Sequence, residues 1–310
     1  MSASTATPIT SRLALRRRRR PRSALARNRG RTGLVLALPA FALVALLLGI
    51  PILQAVYYSM TRWDGLVSTW VGPSTYVDQL KNPIFWRVLE NNGLLLLSVP
   101  VAIVIPLGIA ALLHERVFGW RFFRSIYFLP TAVSWVVIGM VSARFFAQQG
   151  TLNDLLASVG LGSVRTDFLS GEYTALLAVA ITFVWSMVGT NTIIFLTGLA
   201  TIDPSLHEAA KVDGAGALRI FWHITFPLLK RFVQFSFVMT VISAFTALFS
   251  LIFVMTGGGP GYGTTTLEFF VYQTAFAKGE FGTGALLGVV LFVIMAVIGA
   301  AQLKLLRSDD

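Results

Sequence analysis

Residues 201–231, TIDPSLHEAAKVDGAGALRIFWHITFPLLKR, connect two long uncharged segments of the chain. This connection begins like a helix. Asp203 before Pro204 is a good N-cap followed by proline at the first helical position, and Ser205 with Glu208 forms a capping box that offers an alternative start. The pattern predicts a short, surface-lying helix rather than a simple loop.

The same connection contains a stop signal and a second helical pattern. Gly214 or Gly216 can end the first helix in the left-handed conformation that glycine adopts without steric cost. Apolar residues then recur at the helical spacing i, i+3 and i+4, at Leu218, Phe221 and Trp222. We expect a second helical piece that ends before Pro227.

Outward from this connection, six stretches contain no Asp, Glu, Lys, Arg or His: 33–59, 91–113, 125–143, 173–200, 232–256 and 284–303. About 20 such residues suffice to cross the hydrocarbon core of a bilayer as a helix. Hydrophobic residues make up 55% of the chain, charged residues 13%, and cysteine is absent. The sequence therefore excludes a disulfide scaffold or zinc finger and predicts an all-α polytopic membrane protein with six transmembrane helices.

The distribution of charge predicts the orientation. The termini and the connections on their side carry 19 basic and 6 acidic residues, whereas the opposite connections carry 6 basic and 8 acidic residues. Basic residues are retained on the cytoplasmic side of membranes. Both termini are therefore expected in the cytoplasm, and the protein in a bacterial cytoplasmic (inner) membrane.

The chain divides by these signals into a basic cytoplasmic tail 1–32, a first transmembrane helix 33–59, an external loop 60–85, a transmembrane region 86–303 and a cytoplasmic C-terminus 304–310. The tail includes the run Arg16 to Arg20. Such a run could bind nucleic acid or anionic lipid, but directly before a hydrophobic span it is typical of a topology signal. We predict contact with the lipid bilayer, no nucleic-acid partner and no cleavage after the first span.

The sequence lacks the residues on which several functional classes depend. The six stretches hold no ionisable side chain of the kind on which ion-coupled transporters depend. No phosphate-binding GxxxxGK[ST] loop and no hydrolase motif occurs. The three histidines, His114, His207 and His223, lie in connections without metal-ligand spacing. We predict no enzyme activity, metal or cofactor in this chain, and an energy source on a cytoplasmic partner.

Residues 208–227 contain a spaced motif: Glu208, Ala209 and Ala210, then three residues, Gly214, nine residues, Ile224, one residue, Phe226 and Pro227. This motif resembles the EAA loop of binding-protein-dependent ABC importer permeases, with Phe226 where leucine is usual. Further matches are Leu129 with Pro130, AAKVDGAG from Ala209 and TGGGP from Thr256. They are similar to the sugar branch, in particular to MalF-type and glycerol-phosphate-type first permease subunits.

The resemblance implies a type I ABC importer permease (MetI-like) fold over 86–303 with its EAA loop at 201–231. In that family the loop binds to an ATPase subunit. The resemblance therefore implies coupling roles for Glu208, Ala209, Ala210, Asp213, Gly214, Ile224 and Pro227. ATP and Mg would bind to the partner ATPase. The implied partners are two nucleotide-binding ATPase subunits, a second homologous permease subunit and an extracytoplasmic solute-binding protein.

Polar residues in the fourth and fifth stretches are candidates for a substrate pathway: Trp185, Ser186, Thr190, Asn191, Thr240 and Ser243. Hydroxyls and an amide near an indole suit a carbohydrate or related polyol. The same groups equally suit hydrogen bonds between packed helices.

The external residues 257–282 are expected to be long and flexible, either contacting a binding protein or capping the pathway. A secondary facilitator or channel for a neutral solute remains the alternative function.

Overall fold

The computed structural model describes residues 35–114 and 126–307. These residues are mostly helical. They also include a short β-hairpin, which the all-α prediction did not contain. The elements, in chain order, are α1 (Val35–Tyr58), β1 (Thr61–Trp63), β2 (Ser68–Trp70), α2 (Ser74–Lys81), α3 (Pro83–Leu96), α4 (Ser98–His114), α5 (Trp135–Phe146), α6 (Thr151–Ser158), α7 (Glu172–Leu199), α8 (Pro204–Val212), α9 (Ala217–Met255), α10 (Leu267–Tyr272) and α11 (Phe281–Arg307).

Two compact units divide the chain, 1–54 and 55–310. In the first unit the described residues are helical, with a π turn at Ala45–Gly49, and none is buried. The predicted basic tail 1–32 lies outside the described residues. The second unit holds the packed bundle.

Within the described ranges, five helical segments are long and apolar enough to cross a membrane: Val35–Tyr58, Pro83–Leu113, Glu172–Leu199, Ala217–Met255 and Phe281–Lys304. They correspond to the first, second, fourth, fifth and sixth predicted stretches. The second combines α3 and α4. A continuous apolar helix satisfies its backbone groups internally, which is why composition alone located these segments.

The third predicted stretch, 125–143, differs from the expectation of one spanning helix. It contains a 3₁₀ turn at Leu129–Ala132, after which Val133 is extended. The hydroxyl of Ser134 then accepts from the Val137 N–H at 3.4 Å and caps α5. α5 has 12 residues, or about 18 Å of helix. Pro130, which cannot donate a backbone hydrogen bond, lies in the interrupting turn.

The hydrophobic core lies among α4, α5, α7 and α9. Phe183 and Phe195 of α7 are fully buried, as is Leu251 of α9, and Val179 and Ala102 complete the contact between α7 and α4. Small residues let these helices approach closely, because Ala102 and Ala178 add little bulk between the backbones.

Gly189 of α7 packs directly against the interrupted segment. A Cβ placed there would touch the carbonyl oxygen of Tyr127 and lie 2.5 Å from Cγ2 of Thr131. We expect Gly189→Ala to lower the free energy of unfolding by about 1–3 kcal/mol through overpacking. Gly108→Ala in α4 is the matched control, because nothing lies within 4 Å of its Cβ position. Thermal unfolding in detergent measures both; equal midpoints for the two variants would contradict the packing.

Candidate functional site

The connection between α7 and α9 begins with the predicted helix. α8 starts at Pro204, and the Asp203 carboxylate caps it by accepting from the Ser205 N–H at 2.9 Å. This bond lowers the pKa of Asp203. The Asp203 start is therefore confirmed, and the alternative capping box beginning at Ser205 is not used.

α8 ends in the turn that the glycine signal predicted. Gly214 has φ of +78°, in the left-handed region, and donates its N–H to the Lys211 carbonyl at 3.0 Å. Ala215 donates to the Ala210 carbonyl at 2.9 Å. Gly216, with φ of −71°, is the N-cap of α9. Gly214, not Gly216, is thus the residue whose conformation ends α8.

The expected end of the second helical piece before Pro227 is wrong. α9 continues from Ala217 to Met255, with a π turn at Phe221–Thr225 just ahead of the proline. Phe226 closes this turn by donating its N–H to the Phe221 carbonyl. Wider local hydrogen bonding of this kind lets a spanning helix accommodate a residue without an N–H. Consequently the connection leads directly into the fifth predicted span.

The surface of this connection is exposed and partly apolar. Glu208, Ala209 and Asp213 are exposed, and Glu208 forms no ion pair with any residue that the structure describes. Val212 is 87% exposed and Leu218 77%. Large apolar side chains beside unpaired charges are typical of a protein-binding surface. We name the exposed set Glu208, Ala209, Val212, Asp213 and Leu218 the docking face.

Other members of the predicted motif lie off this face. Ala210 is half-buried on α8. Ile224 and Pro227 belong to the start of α9, where Ile224 is half-buried and Pro227 exposed. The motif therefore combines a surface helix, a glycine turn and the base of a span. The exposure of Val212 and Leu218 was missed, although an apolar residue in a charged connection is a usable signal.

A second polar arrangement lies in the middle of the bundle. The side-chain amide of Asn191 on α7 donates to the Ala102 carbonyl of α4 at 2.6 Å and to the Thr240 hydroxyl of α9 at 3.0 Å. Asn191 and Thr240 are almost wholly buried. The Ala102 carbonyl is four residues before Pro106, inside α4. Because proline has no N–H, this carbonyl lacks its usual helical partner, and Asn191 supplies it.

The remaining predicted pathway residues do not join this arrangement. Ser186 is buried and donates to the Thr182 carbonyl of its own helix at 2.8 Å. Thr190 is exposed and Ser243 half-buried. Trp185, 42% exposed, lines an apolar groove of about 530 Å³ between α7 and the α3–α4 segment. The six candidates therefore fall into three groups: Asn191 and Thr240 link helices, Ser186 is bonded within α7, and the exposed or half-buried side chains are Trp185, Thr190 and Ser243.

At the opposite end of the bundle, residues 257–282 are not the flexible connection expected. Thr264, Thr265 and Thr266 are fully buried. The Asn91 amide donates to the Tyr262 and Thr265 carbonyls at 2.8 and 2.9 Å. In the sequence, the signal for this contact is the pair Asn91 and Asn92 at the start of an apolar stretch.

The neighbouring Asn92 ties this segment to α3 a second time. Its carbonyl oxygen accepts from the Leu267 N–H at 2.7 Å. Glu268 follows in α10, and burial raises the pKa of its carboxyl group. The segment is thus held in place by buried amides.

The described residues contain no group of three His, Asp or Glu side chains that could hold a metal ion. The histidines with described side chains make single hydrogen bonds instead. His207 contacts the Thr225 hydroxyl, and His223 the Arg219 carbonyl.

Comparison with known proteins adds the family. Residues 94–308 match the model of the binding-protein-dependent transport system inner membrane component. The chain is 33% identical to the probable ABC transporter permease protein YurN of Bacillus subtilis, over 84% of this chain and 90% of that protein. It is also 33% identical to the sulfoquinovosyl glycerol transport system permease protein SmoG of Agrobacterium fabrum, over 89% and 90%.

The fold has a counterpart among solved structures. A chain of a bacterial alginate ABC transporter, solved in complex with an alginate pentasaccharide-bound periplasmic protein, superposes with a TM-score of 0.76. The alignment covers 91% of this chain and 96% of that one at 20% identity. The predicted MetI-like permease fold is thereby confirmed. The chain belongs to the family of inner-membrane components of binding-protein-dependent transport systems.

Proposed function

We propose that the protein is the translocating permease subunit of an ATP-driven ABC importer for a carbohydrate or related polyol. The observation that carries this proposal is the docking face on α8, joined by the Gly214 turn to a helix that continues into a predicted span. A movement imposed on α8 by a partner would reach the membrane region through one turn of chain. Neither a facilitator nor a channel requires such an element.

The partners follow from the same geometry and family. Two ATPase subunits, holding ATP and Mg, bind on the cytoplasmic side, one of them at the docking face. A second homologous permease subunit completes the pathway, and an extracytoplasmic solute-binding protein delivers the cargo. The periplasmic protein bound in the alginate transporter supports this last partner. We infer six spans in a bacterial inner membrane, the third being the interrupted stretch 125–143, with both termini in the cytoplasm.

The cargo class rests on relatives and on exposed side chains. SmoG is named for sulfoquinovosyl glycerol transport, and a related bacterial ABC transporter imports the acidic polysaccharide alginate. Trp185 and Thr190 are exposed on α7 and can reach cargo, whereas the hydrogen bonds of Asn191 and Thr240 are used between helices. Trp185, Thr190 and Ser243 are therefore the proposed contacts. Asn191 and Thr240 link the helices that present them, and Ser186 is bonded within α7.

Transport then proceeds by alternating access. ATP closes the ATPase dimer, the docking face moves with it, and α9 follows because the Gly214 turn joins them. The spans open outward to receive cargo and return inward after hydrolysis. A ligand shifts such an equilibrium by its differential affinity for the two states.

Charge reversal at Glu208 tests the docking face. In vesicles holding the whole importer, its binding protein and ATP, Glu208→Lys is expected to reduce sugar uptake by about tenfold or more, the equivalent of 1.4 kcal/mol. Glu208→Gln should lie between this variant and the wild type. Asp78→Lys applies the same charge change at an exposed position of α2, and should leave uptake unchanged. Equal uptake in wild type with and without ATP would establish the facilitator instead.

A further inference from the structure

α8 is held only loosely against the bundle. A cavity of about 430 Å³ separates it from the ends of α4 and α7 and the start of α9. Within the described part of the chain, every backbone hydrogen bond made by residues 204–212 stays within the connection 201–231. An element with little packing moves easily, because few contacts oppose its displacement.

One side-chain hydrogen bond crosses that cavity. The Nε2 atom of His207, in the middle of α8, lies 3.1 Å from the Thr225 hydroxyl. Both residues line the cavity, with His207 half-buried and Thr225 5% exposed. This hydrogen bond joins a side chain of α8 to a side chain of α9.

The Thr225 end of this contact lies in an unusual backbone conformation. Thr225 is the last residue of the π turn Phe221–Thr225, two residues before Pro227. π turns inside helices often mark functional sites, because their hydrogen-bond register can change. A side chain attached here can act on the position of the whole of α9.

We propose that His207 is a positioning residue that transmits displacement of α8 to α9 through the Thr225 hydroxyl. This role rests on the proposed function and deepens it. The docking face receives the movement, the Gly214 turn allows α8 to pivot, and the His207–Thr225 bond ties the pivoting helix to the span. Without this bond α8 can pivot about the Gly214 turn, and less of its movement reaches α9.

The test measures sugar imported per ATP hydrolysed in reconstituted full importer. His207→Ala and Thr225→Val should each lower this ratio by about fivefold or more, a usual size for coupling between sites. His207→Gln, whose amide can occupy the Nε2 position, and Thr225→Ser, which keeps the hydroxyl, should restore it. The double variant His207→Ala/Thr225→Val should be no worse than either single one, because both remove the same contact.

Two readouts separate coupling from damage. Co-purification of the ATPase subunits and the thermal midpoint should match the wild type in His207→Ala, because docking uses other residues. A wild-type import ratio in both His207→Ala and Thr225→Val would overturn the proposal. So would failure of both conservative variants to restore the ratio. By contrast, two results would overturn the proposed function itself. One is uptake by the wild-type importer that needs no ATP, and the other is a purified assembly that contains no ATPase subunits.

Discussion

Gly214→Val is expected to reduce ATP-driven uptake by about tenfold or more while the protein still inserts in the membrane. At φ of +78° a side chain with a Cβ is strained by about 1–2 kcal/mol, and a branched one more so. The space around Gly214 is open, with nothing within 4 Å of a Cβ. The strain is therefore conformational, and it can be relieved only by reorienting α8 relative to α9.

Gly216 provides the matched control for this prediction. Its Cβ position is equally open, but its φ of −71° suits any residue. Gly216→Ala should retain uptake, whereas Gly214→Ala should already lose part of it. The measurements are sugar uptake, ATP hydrolysis and the amount of inserted protein. Equal loss in the two alanine variants would show that the left-handed turn has no role.

Asn191→Leu is expected to lower the free energy of unfolding by about 1–3 kcal/mol, the cost of leaving buried polar groups unpaired. The Ala102 carbonyl, already deprived of a helical partner by Pro106, would lose its donor. The Thr240 hydroxyl would lose its partner as well. Both losses weaken the contacts of α7 with α4 and α9. The variant should therefore unfold at a lower temperature than any variant with a single surface substitution.

Thr192→Val is the control for the buried amide. Thr192 follows Asn191 in α7 and is equally buried, but its hydroxyl has no hydrogen-bond partner in the described part of the chain. Its replacement by an isosteric apolar residue should leave the thermal midpoint unchanged or higher. If Asn191→Leu instead melts like the wild type and raises the sugar concentration for half-maximal uptake, Asn191 contacts cargo directly.

Local signals were sufficient for the elements of the candidate site. Asp203 and Gly214 act on their own neighbours in the chain, so both were among the two candidates that the sequence offered for the beginning and the end of α8. The outcome for Pro227 could not. Whether a proline ends a helix or is accommodated by a π turn depends on how that helix packs. Here the π turn lies where α9 passes from the connection 201–231 into the core.

Long-range pairings were out of reach for the same reason. Asn191 was assigned to the pathway from its residue type, yet its partners are 89 and 49 residues away in sequence. Asn91 likewise contacts residues more than 170 positions distant. A sequence read segment by segment shows that an amide needs a partner, but not which helix will supply it.

By itself, the sequence determined the long apolar helices and narrowed each boundary of α8 to two candidate residues, because bilayer thickness and backbone capping act within a single segment. Only the tertiary structure decided that the third stretch is interrupted and that α9 continues through Pro227. It also decided that residues 257–282 are held by hydrogen bonds from Asn91 and Asn92. Each of these depends on groups from different helices meeting in one place. The same holds for His207, which is an ordinary histidine in the sequence and a link to α9 once Thr225 lies 3.1 Å away.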